Sequence, residues 1–136
     1  MPDNLKNIAT SFAPMLLIED GFKAIEFYKK AFNAKELRVF KNDDNTVHVA
    51  ELSIGGVIFH IREVNPDRGH LDALKIRGIT SIIELWVNDP AEVFSNAMKA
   101  GAKEVGAVKD YHETGYRQGT ITDPFGHQWH IMRPIH

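Results

Sequence analysis

The sequence predicts an α+β fold of two tandem βαβββ modules, with a curved, cup-shaped mixed sheet and the helices on its outside. Two observations lead to this prediction. Apolar runs of strand length alternate with segments of helical periodicity, in the same order in both halves. The halves also repeat each other: residues 56–61 (GVIFHI) match 126–131 (GHQWHI), and the AKE at 34–36 matches the AKE at 102–104. A duplicated module explains both observations.

The first module is predicted over about residues 12–64. FAPMLLI at 12–18 has the length and composition of a strand. Apolar residues with a spacing of three to four predict a helix from residue 22, with Asp20 as its N-cap and Asn33 as its left-handed end. Three hairpin strands are then predicted at about 36–41, 46–54 and 57–64, joined by NDDN and Gly-Gly turns.

A polar linker over 65–79 leads to the second module at about 80–133. After a strand at 80–88, Asp89-Pro90-Ala91-Glu92 combines an N-cap, a proline in the first turn and a carboxylate three residues after the cap. Gly101 is the predicted end of that helix. The last three strands are predicted at about 103–109, 116–122 and 128–133.

Length and composition limit the possible functions. The 136 residues make one domain, predicted over 1–136. The absence of cysteine excludes a disulfide scaffold, a thiolate zinc site and a cysteine nucleophile. A formal charge of −2 without a basic stripe argues against nucleic acid as a partner, and no apolar run is long enough to span a membrane. We therefore expect a cytoplasmic protein whose partner is a small molecule.

Period-2 alternation predicts which strand residues face the cavity. In the strand at 57–64, the apolar Val57, Phe59 and Ile61 belong under the helix. The intervening residues then face the cavity, as do the equivalent residues of the last strand and of the strand at 80–88. The predicted cavity residues on these strands are Ile58, His60, Arg62, Gln128, His130, Met132, Ile82, Glu84 and Trp86.

His60 and His130 occupy equivalent places in the two modules, and Glu84 is the nearest candidate carboxylate. Two imidazoles and a carboxylate are a known open ligand set for divalent metals. We predict His60 and His130 as ligands of one divalent ion and Glu84 as the catalytic carboxylate. Three alternatives remain open: hydrogen-bonded lining histidines, a salt bridge of Glu84 with Arg62 or a lysine, and acid–base chemistry without metal.

Five further residues are interpreted individually. His48 lines the cavity or makes a hydrogen bond on the sheet face. Arg117 grips an anionic group such as a carboxylate or phosphonate, or ties its loop to backbone carbonyls. Trp86 stacks on a planar ligand or fills the core. Asp123 closes the DPFG turn through an Asx bond, and the neighbouring His127 is exposed or caps that turn.

Three segments resemble one known family: AIEFYKKAFNAKE at 24–36, TVHVAEL at 46–52, and HETGYRQGTITDPFGHQW at 112–129. They are similar to the glyoxalase/bleomycin-resistance/dioxygenase (vicinal oxygen chelate) superfamily, and closest to its phosphonate-operon glyoxalase-like subgroup. The resemblance covers about residues 12–133. It implies the duplicated fold and a homodimer whose cavities are built partly across the interface.

The resemblance also implies a metal site with one ligand from the first and one from the last strand of each module. Those four places fall on Ala13, His60, Ile82 and His130. Only the two histidines can bind a metal ion. The usual four-ligand site of glyoxalase I or of an extradiol dioxygenase is therefore not present.

Two functions follow as hypotheses. The first is a glyoxalase-like lyase, isomerase or dioxygenase that acts on a small oxygenated substrate, with or without a metal ion. The second is a non-catalytic protein that binds a small molecule or an antibiotic. The polar set of His60, His130, Arg62 and Glu84 favours the enzyme, whereas the apolar Ala13 and Ile82 favour the binding protein. A ferredoxin-like fold without a cup would leave the DPFGHQW resemblance unexplained.

Overall fold

The computed structural model describes residues 7–136, so residues 1–6 of the predicted domain lie outside the described residues. No helix within 7–136 is long and apolar enough to cross a membrane. The elements of module one are β1 (Met15–Ile18), α1 (Gly21–Phe32), β2 (Lys35–Lys41), β3 (Val47–Ile54) and β4 (Val57–Glu63). Those that follow are α2 (Ala73–Ile76), β5 (Ile82–Trp86), α3 (Pro90–Ala100), β6 (Lys103–Tyr111), β7 (Tyr116–Thr122) and β8 (Gln128–Pro134).

The strands form two four-stranded mixed sheets of identical topology, ordered β1-β4-β3-β2 and β5-β8-β7-β6. The first strand of each module pairs in parallel with the last, and the other pairs are antiparallel. The predicted α+β class with two tandem βαβββ modules is confirmed. One detail differs from the prediction: within one chain the strands form two separate sheets rather than one continuous sheet.

Local sequence signals set the ends of both long helices. Asp20 and Asp89 each accept a hydrogen bond from the backbone N–H of the third helical residue, at 3.2 and 3.1 Å. Asn33 and Gly101 end the helices in the left-handed region, with φ of 55° and 119°. The predicted caps are confirmed because each depends on only a few neighbouring residues.

The linker contains structure that the sequence did not predict. A 3-10 turn spans Pro66–Arg68, and α2 is a single helical turn whose N-cap, Asp72, accepts a bond from the backbone N–H of Leu74 at 3.0 Å. Four residues are too few to show a helical period, so pattern reading leaves such a turn in the loop. The linker is thus a folded connection.

Both modules contribute to one hydrophobic core. The two long helices pack against each other, and each also packs on its own sheet. On α1, Tyr28 and Phe32 lie 5.6 and 4.7 Å from Trp129 on β8, measured between ring centroids. The helix-covered sides of both sheets therefore meet in a shared core, and the other side of each sheet faces away from it.

Asp123 joins the last turn to the first helix. Its Oδ1 accepts from the backbone N–H of Phe125 at 2.9 Å, which confirms the predicted Asx bond. Its Oδ2 accepts from the Tyr28 hydroxyl at 2.5 Å and from the Trp129 indole N–H at 3.0 Å. Burial, followed by the Asp123 charge, raises the pKa of Tyr28, so the phenol stays protonated and donates. This role is structural.

The same turn contacts β1 and the linker. His127, predicted as exposed or capping, is half-buried, and its Nε2 donates to the carbonyl oxygen of Leu17 at 2.9 Å. Gly126 has φ of 90°, and a Cβ there would lie 2.9 Å from the Cβ of Ala73 in α2. A side chain at residue 126 would thus be strained and would collide with the linker.

Candidate functional site

Each sheet has one face that no helix of its own chain covers. On β4, Phe59 and Ile61 are buried under α1 while His60 between them is half-buried on the opposite side. On β8, His130 lies likewise between the buried Trp129 and Ile131. By strand register, face one carries Met15, Leu17, Val49, Glu51, Ile58, His60 and Arg62. Face two carries Ile82, Glu84, Trp86, Tyr116, Gln118, Thr120, Gln128, His130 and Met132.

The centre of face one is a contact between His60 and Glu51. The two residues are directly opposite on β4 and β3, and His60 Nε2 lies 3.2 Å from Glu51 Oε2. Arg38 Nη2 lies 3.4 Å from the same oxygen. The hydrogen bond from His60, followed by Arg38, lowers the pKa of Glu51, so this carboxylate stays ionised and accepts.

Sequence reasoning missed Glu51, although a signal for it was present. Gly55 and Gly56 form a two-residue turn with φ of 57° and 83°. A two-residue turn sets the register of its hairpin, so that Ile54 pairs with Val57 and Glu51 with His60. The carboxylate beside His60 therefore follows from counting back across the turn.

The rest of face one combines apolar surface with one arginine. Met15 and Ile58 are exposed to 47% and 41%. Arg62 is half-buried, two residues beyond His60, between its register neighbours Leu17 and Val49. The predicted alternative of a salt bridge between Arg62 and Glu84 does not occur, because the two residues lie on different sheets and no such pair forms within 7–136.

On face two, His130 lies between Glu84 on β5 and Thr120 on β7. Glu84 is exposed and His130 is half-buried. Neither side chain forms a salt bridge with any part of the chain that the structure describes. Glu84, the predicted catalytic carboxylate, therefore lies beside His130 rather than beside His60.

Face two also presents an aromatic pair. The rings of Trp86 and Tyr116 meet edge to face with centroids 5.2 Å apart. Trp86 remains 48% exposed, while Met132, its register neighbour, is only 1% exposed. Gln128 is half-buried beside Ile82 at the other end of the face. The outward aromatic surface is thus supplied by Trp86, and Met132 lies beneath the surface.

Two predicted site residues lie off both faces. His48 alternates with Val49 and Glu51, so it is out of step with His60, and it is exposed. Arg117 is likewise out of step with His130, and its Nε donates to Asp110 Oδ1 at 2.7 Å. The Arg117 guanidinium lowers the pKa of Asp110. The Arg117 guanidinium is thus already paired with the Asp110 carboxylate of its own chain, where the sequence predicts an anionic ligand.

The clefts of the chain lie elsewhere. One of about 680 Å³ is lined by Phe22, Phe27, Leu74 and Phe125, between the start of α1, the linker helix and the last turn. Another of about 600 Å³ lies between the end of α1 and the start of α3. Neither is lined by His60 or His130. A cup that contains both histidines is therefore not enclosed by these parts of one chain.

The family of the chain follows from its similarity to known proteins. Residues 11–131 match the model of the Glyoxalase/Bleomycin resistance protein/Dioxygenase superfamily. The chain belongs to this superfamily. An uncharacterized protein of Mycobacterium bovis is 35% identical over 133 residues, covering 95% of this chain and 86% of that protein. The finer assignment to the phosphonate-operon subgroup stays a prediction.

Two solved structures of the same fold are informative. The X-ray structure of an Arabidopsis thaliana gene product has a TM-score of 0.73 and 32% identity, covering 90% of this chain and 98% of that one. A mutant of the fosfomycin resistance protein FosX from Listeria monocytogenes, in complex with Mn(II) and 1S,2S-dihydroxypropylphosphonic acid, has a TM-score of 0.67. The two sequences are 17% identical, and the alignment covers 91% of this chain and 89% of the FosX chain. This comparison therefore shows the fold alone.

The donor set of this superfamily member does not fit a resident metal ion within one chain. Of the four places implied by the resemblance, Ala13 and Ile82 carry no donor atom. His60 Nε2 is already engaged by Glu51. Across residues 7–136, no three side chains of His, Asp, Glu or Cys are grouped so that they could hold a metal ion.

Proposed function

We propose that this superfamily member is a glyoxalase-like enzyme of the lyase or isomerase type, acting on a small oxygenated substrate that binds against face one. The observation that supports this most directly is the contact between His60 and Glu51. An imidazole held by an ionised carboxylate, on an uncovered face, is the arrangement that general acid–base catalysis uses. Met15 and Ile58 offer apolar contact to the body of a substrate.

The protonation states follow from the donor inventory. An ionised carboxylate only accepts hydrogen bonds, so the shared proton resides on His60 Nε2 and the lone pair on Nδ1. That lone pair can take a proton from a substrate carbon next to a carbonyl group. Glu51 orients the ring and stabilises the imidazolium that forms. The imidazolium then returns the proton to complete the isomerisation or elimination.

The proposal includes a homodimer in which face one of one copy closes against face two of another. The exposed Met15, Ile58, Ile82 and Trp86 support it, because together they form large apolar surfaces that a free chain leaves in water. In that arrangement Glu84 and His130 would stand opposite His60, where Glu84 can relay the proton. Light scattering at graded concentrations tests the dimer, and a persistent monomer would contradict it.

Solvent-proton exchange tests the enzyme. The wild-type protein should promote deuterium incorporation at the carbon next to the carbonyl group of a member of a panel of 2-oxo and 2-hydroxy carbonyl compounds. His60→Gln should abolish the exchange, whereas the control His48→Gln, an exposed histidine off both faces, should retain it. Absence of exchange across the panel, or equal rates in both variants, would contradict the proposed enzyme.

The alternative is a non-catalytic small-molecule or antibiotic-binding protein, and the Trp86–Tyr116 pair is the observation that favours it. An exposed edge-to-face pair is suited to planar aromatic ligands. The chain has two tryptophans, and Trp129 is only 2% exposed. Fluorescence quenching by a planar antibiotic, lost in Trp86→Phe, together with no proton exchange, would select the binding protein.

A divalent ion on His60 and His130 stays a prediction, and it requires two copies, because one chain does not gather the donors. Metal analysis of chelator-free dimer tests it. Stoichiometric metal that is lost in a His60→Ala/His130→Ala double variant would support this site. No bound metal, and no affinity for added nickel, zinc or iron(II), would contradict it.

A further inference from the structure

Arg62 is a half-buried arginine whose guanidinium has no acceptor in the described chain. No carboxylate oxygen of residues 7–136 lies within 4.0 Å of it, and its side chain makes no hydrogen bond there. The two nearest carboxylates in sequence and register are engaged elsewhere. Glu51 contacts His60 and Arg38, and Glu63 accepts from the backbone N–H groups of Gly21 and Val47.

The other strand arginines of the described chain differ from Arg62. Arg38 contacts Glu51, Arg117 holds Asp110, and Arg133 donates to the carbonyl oxygen of Asn88 at 2.8 Å. An arginine fork presents five donors and stays charged. No side-chain nitrogen of the described residues is buried without a partner, so the unpaired Arg62 guanidinium is open to solvent and free to bind a ligand. Arg62 lies two residues from the proposed base, His60, on the same face of β4, so one bound molecule can reach both side chains.

We propose that Arg62 binds the carboxylate of the substrate, so that the substrate class is a small carboxylic acid whose α-carbon carries the transferable proton. This inference rests on the proposed use of face one. One guanidinium fork matches one carboxylate through two parallel hydrogen bonds. Glu51 neutralises Arg38, and the exposed Lys35 lies at the far end of face one, beside Ser53 and Ile58. Arg62 is therefore the uncompensated cation beside His60 among the described residues, which favours a monoanion over a dianionic phosphate group.

Strand geometry sets the distance between the two groups. Residues i and i+2 of a strand share a face and are roughly 6.5 Å apart along it. A carboxylate held by Arg62 therefore extends its α-carbon back along β4 toward His60. The exposed Ile58, two residues further, would then contact the side chain of the acid.

Paired ligands test the inference. Short-chain and aryl 2-hydroxy and 2-oxo carboxylates, each with its uncharged amide, are titrated into the dimer by calorimetry, with the Ile58 methyl resonance reporting the location. The acids should bind, the amides should bind about 10- to 100-fold more weakly, and salt should weaken only the acids. Arg62→Met should abolish the preference for acids, Arg62→Lys should keep part of it, and the control Arg117→Met should keep all of it.

The outcomes separate this inference from the proposed enzyme. If amides bind as tightly as acids, or no acid binds, or Arg62→Met keeps the preference, the role of Arg62 is overturned, whatever the exchange activity of His60. If the acids bind through Arg62 but no acid exchanges a proton in a His60-dependent way, the enzyme is overturned while the carboxylate site stands.

Discussion

Face one and face two descend from one repeated module, and they have kept the histidine while changing its surroundings. His60 and His130 occupy the same place on the last strand of each sheet. Two residues later, face one has Arg62, half-buried, and face two has Met132, 1% exposed. The two modules have the same strand arrangement, but they differ in charge at this position.

The neighbouring strands differ in a complementary way. Beside His60, β3 supplies Glu51 and β1 supplies Met15; beside His130, β7 supplies Thr120 and β5 supplies Glu84. Each face thus has one carboxylate, but on opposite sides of its histidine. The two modules share a scaffold, and different residues at equivalent positions give one face a histidine–glutamate contact and the other an aromatic surface.

The largest expected effect tests whether the faces differ in function. His60→Gln should lower kcat by about 10²-fold or more, the usual contribution of a general base. His130→Gln should cost less, because no carboxylate of the described residues forms an ion pair with His130. Rates of proton exchange for the two variants, measured side by side, check this. A larger loss in His130→Gln would make face two the catalytic face.

The next effect concerns stability at equivalent positions. Met132→Ala should destabilise the protein by about 2–4 kcal/mol, because it empties a fully buried site. Arg62→Ala should cost less than about 1 kcal/mol, since its guanidinium makes no hydrogen bond or ion pair within residues 7–136 that the variant would lose. Urea unfolding of both variants measures the difference. Equal losses would show that Arg62 serves the fold rather than a ligand.

A smaller effect is the pH dependence of the Glu51 contact. Its pKa is lowered on folding, so the contact stabilises the folded protein above the ordinary glutamate range and is lost as the pH falls through the lowered value. The Glu51→Gln variant should therefore be less stable than the wild-type protein near neutral pH. This difference in the free energy of unfolding should become smaller as the pH falls through the lowered pKa of Glu51. Glu84→Gln is the matched control on face two, and a similar narrowing in that variant would remove the distinction between the faces.

The smallest expected effect is at Trp86. In protein diluted until it is monomeric, the ring is 48% exposed, so Trp86→Phe should leave the midpoint of urea unfolding nearly unchanged while removing the solvent-sensitive part of the tryptophan emission. The buried Trp129 should account for the remaining blue-shifted emission. At concentrations where the proposed dimer forms, the same variant should lose stability, because face two is then covered. A loss of equal size at both concentrations would show that Trp86 serves the fold of the single chain.

Much of the fold was predictable because its signals are local. The caps at Asp20 and Asp89, the Gly55-Gly56 turn and the Asx bond of Asp123 each involve only a few consecutive residues. The alternation around His60 also predicted its face. Pairing across strands was harder, and so Glu51 was missed although the turn length implied its position.

The partners of Arg117 and Glu84 show where pattern reading fails. Asp110 pairs with Arg117 directly across the β6–β7 hairpin, but the four-residue connection at 112–115 does not fix the register as a two-residue turn does. Glu84 and His60 were expected on opposite halves of one cup, and they lie on separate sheets of the chain; their meeting in one cup stays a prediction. The arrangement of the sheets depends on the aromatic core that α1 shares with β8, which is a long-range contact.

The sequence by itself determined the two βαβββ modules, their caps and turns, and the outward parity of both histidines, because these depend on near neighbours and on the two-residue period of a strand. Only the tertiary structure decided that the modules join through their helix-covered sides, with Tyr28 bound to Asp123. It also decided that His60 is paired with Glu51 while Arg62 is left without an acceptor. Those outcomes depend on how distant surfaces bury one another, and burial is a property of the assembled chain.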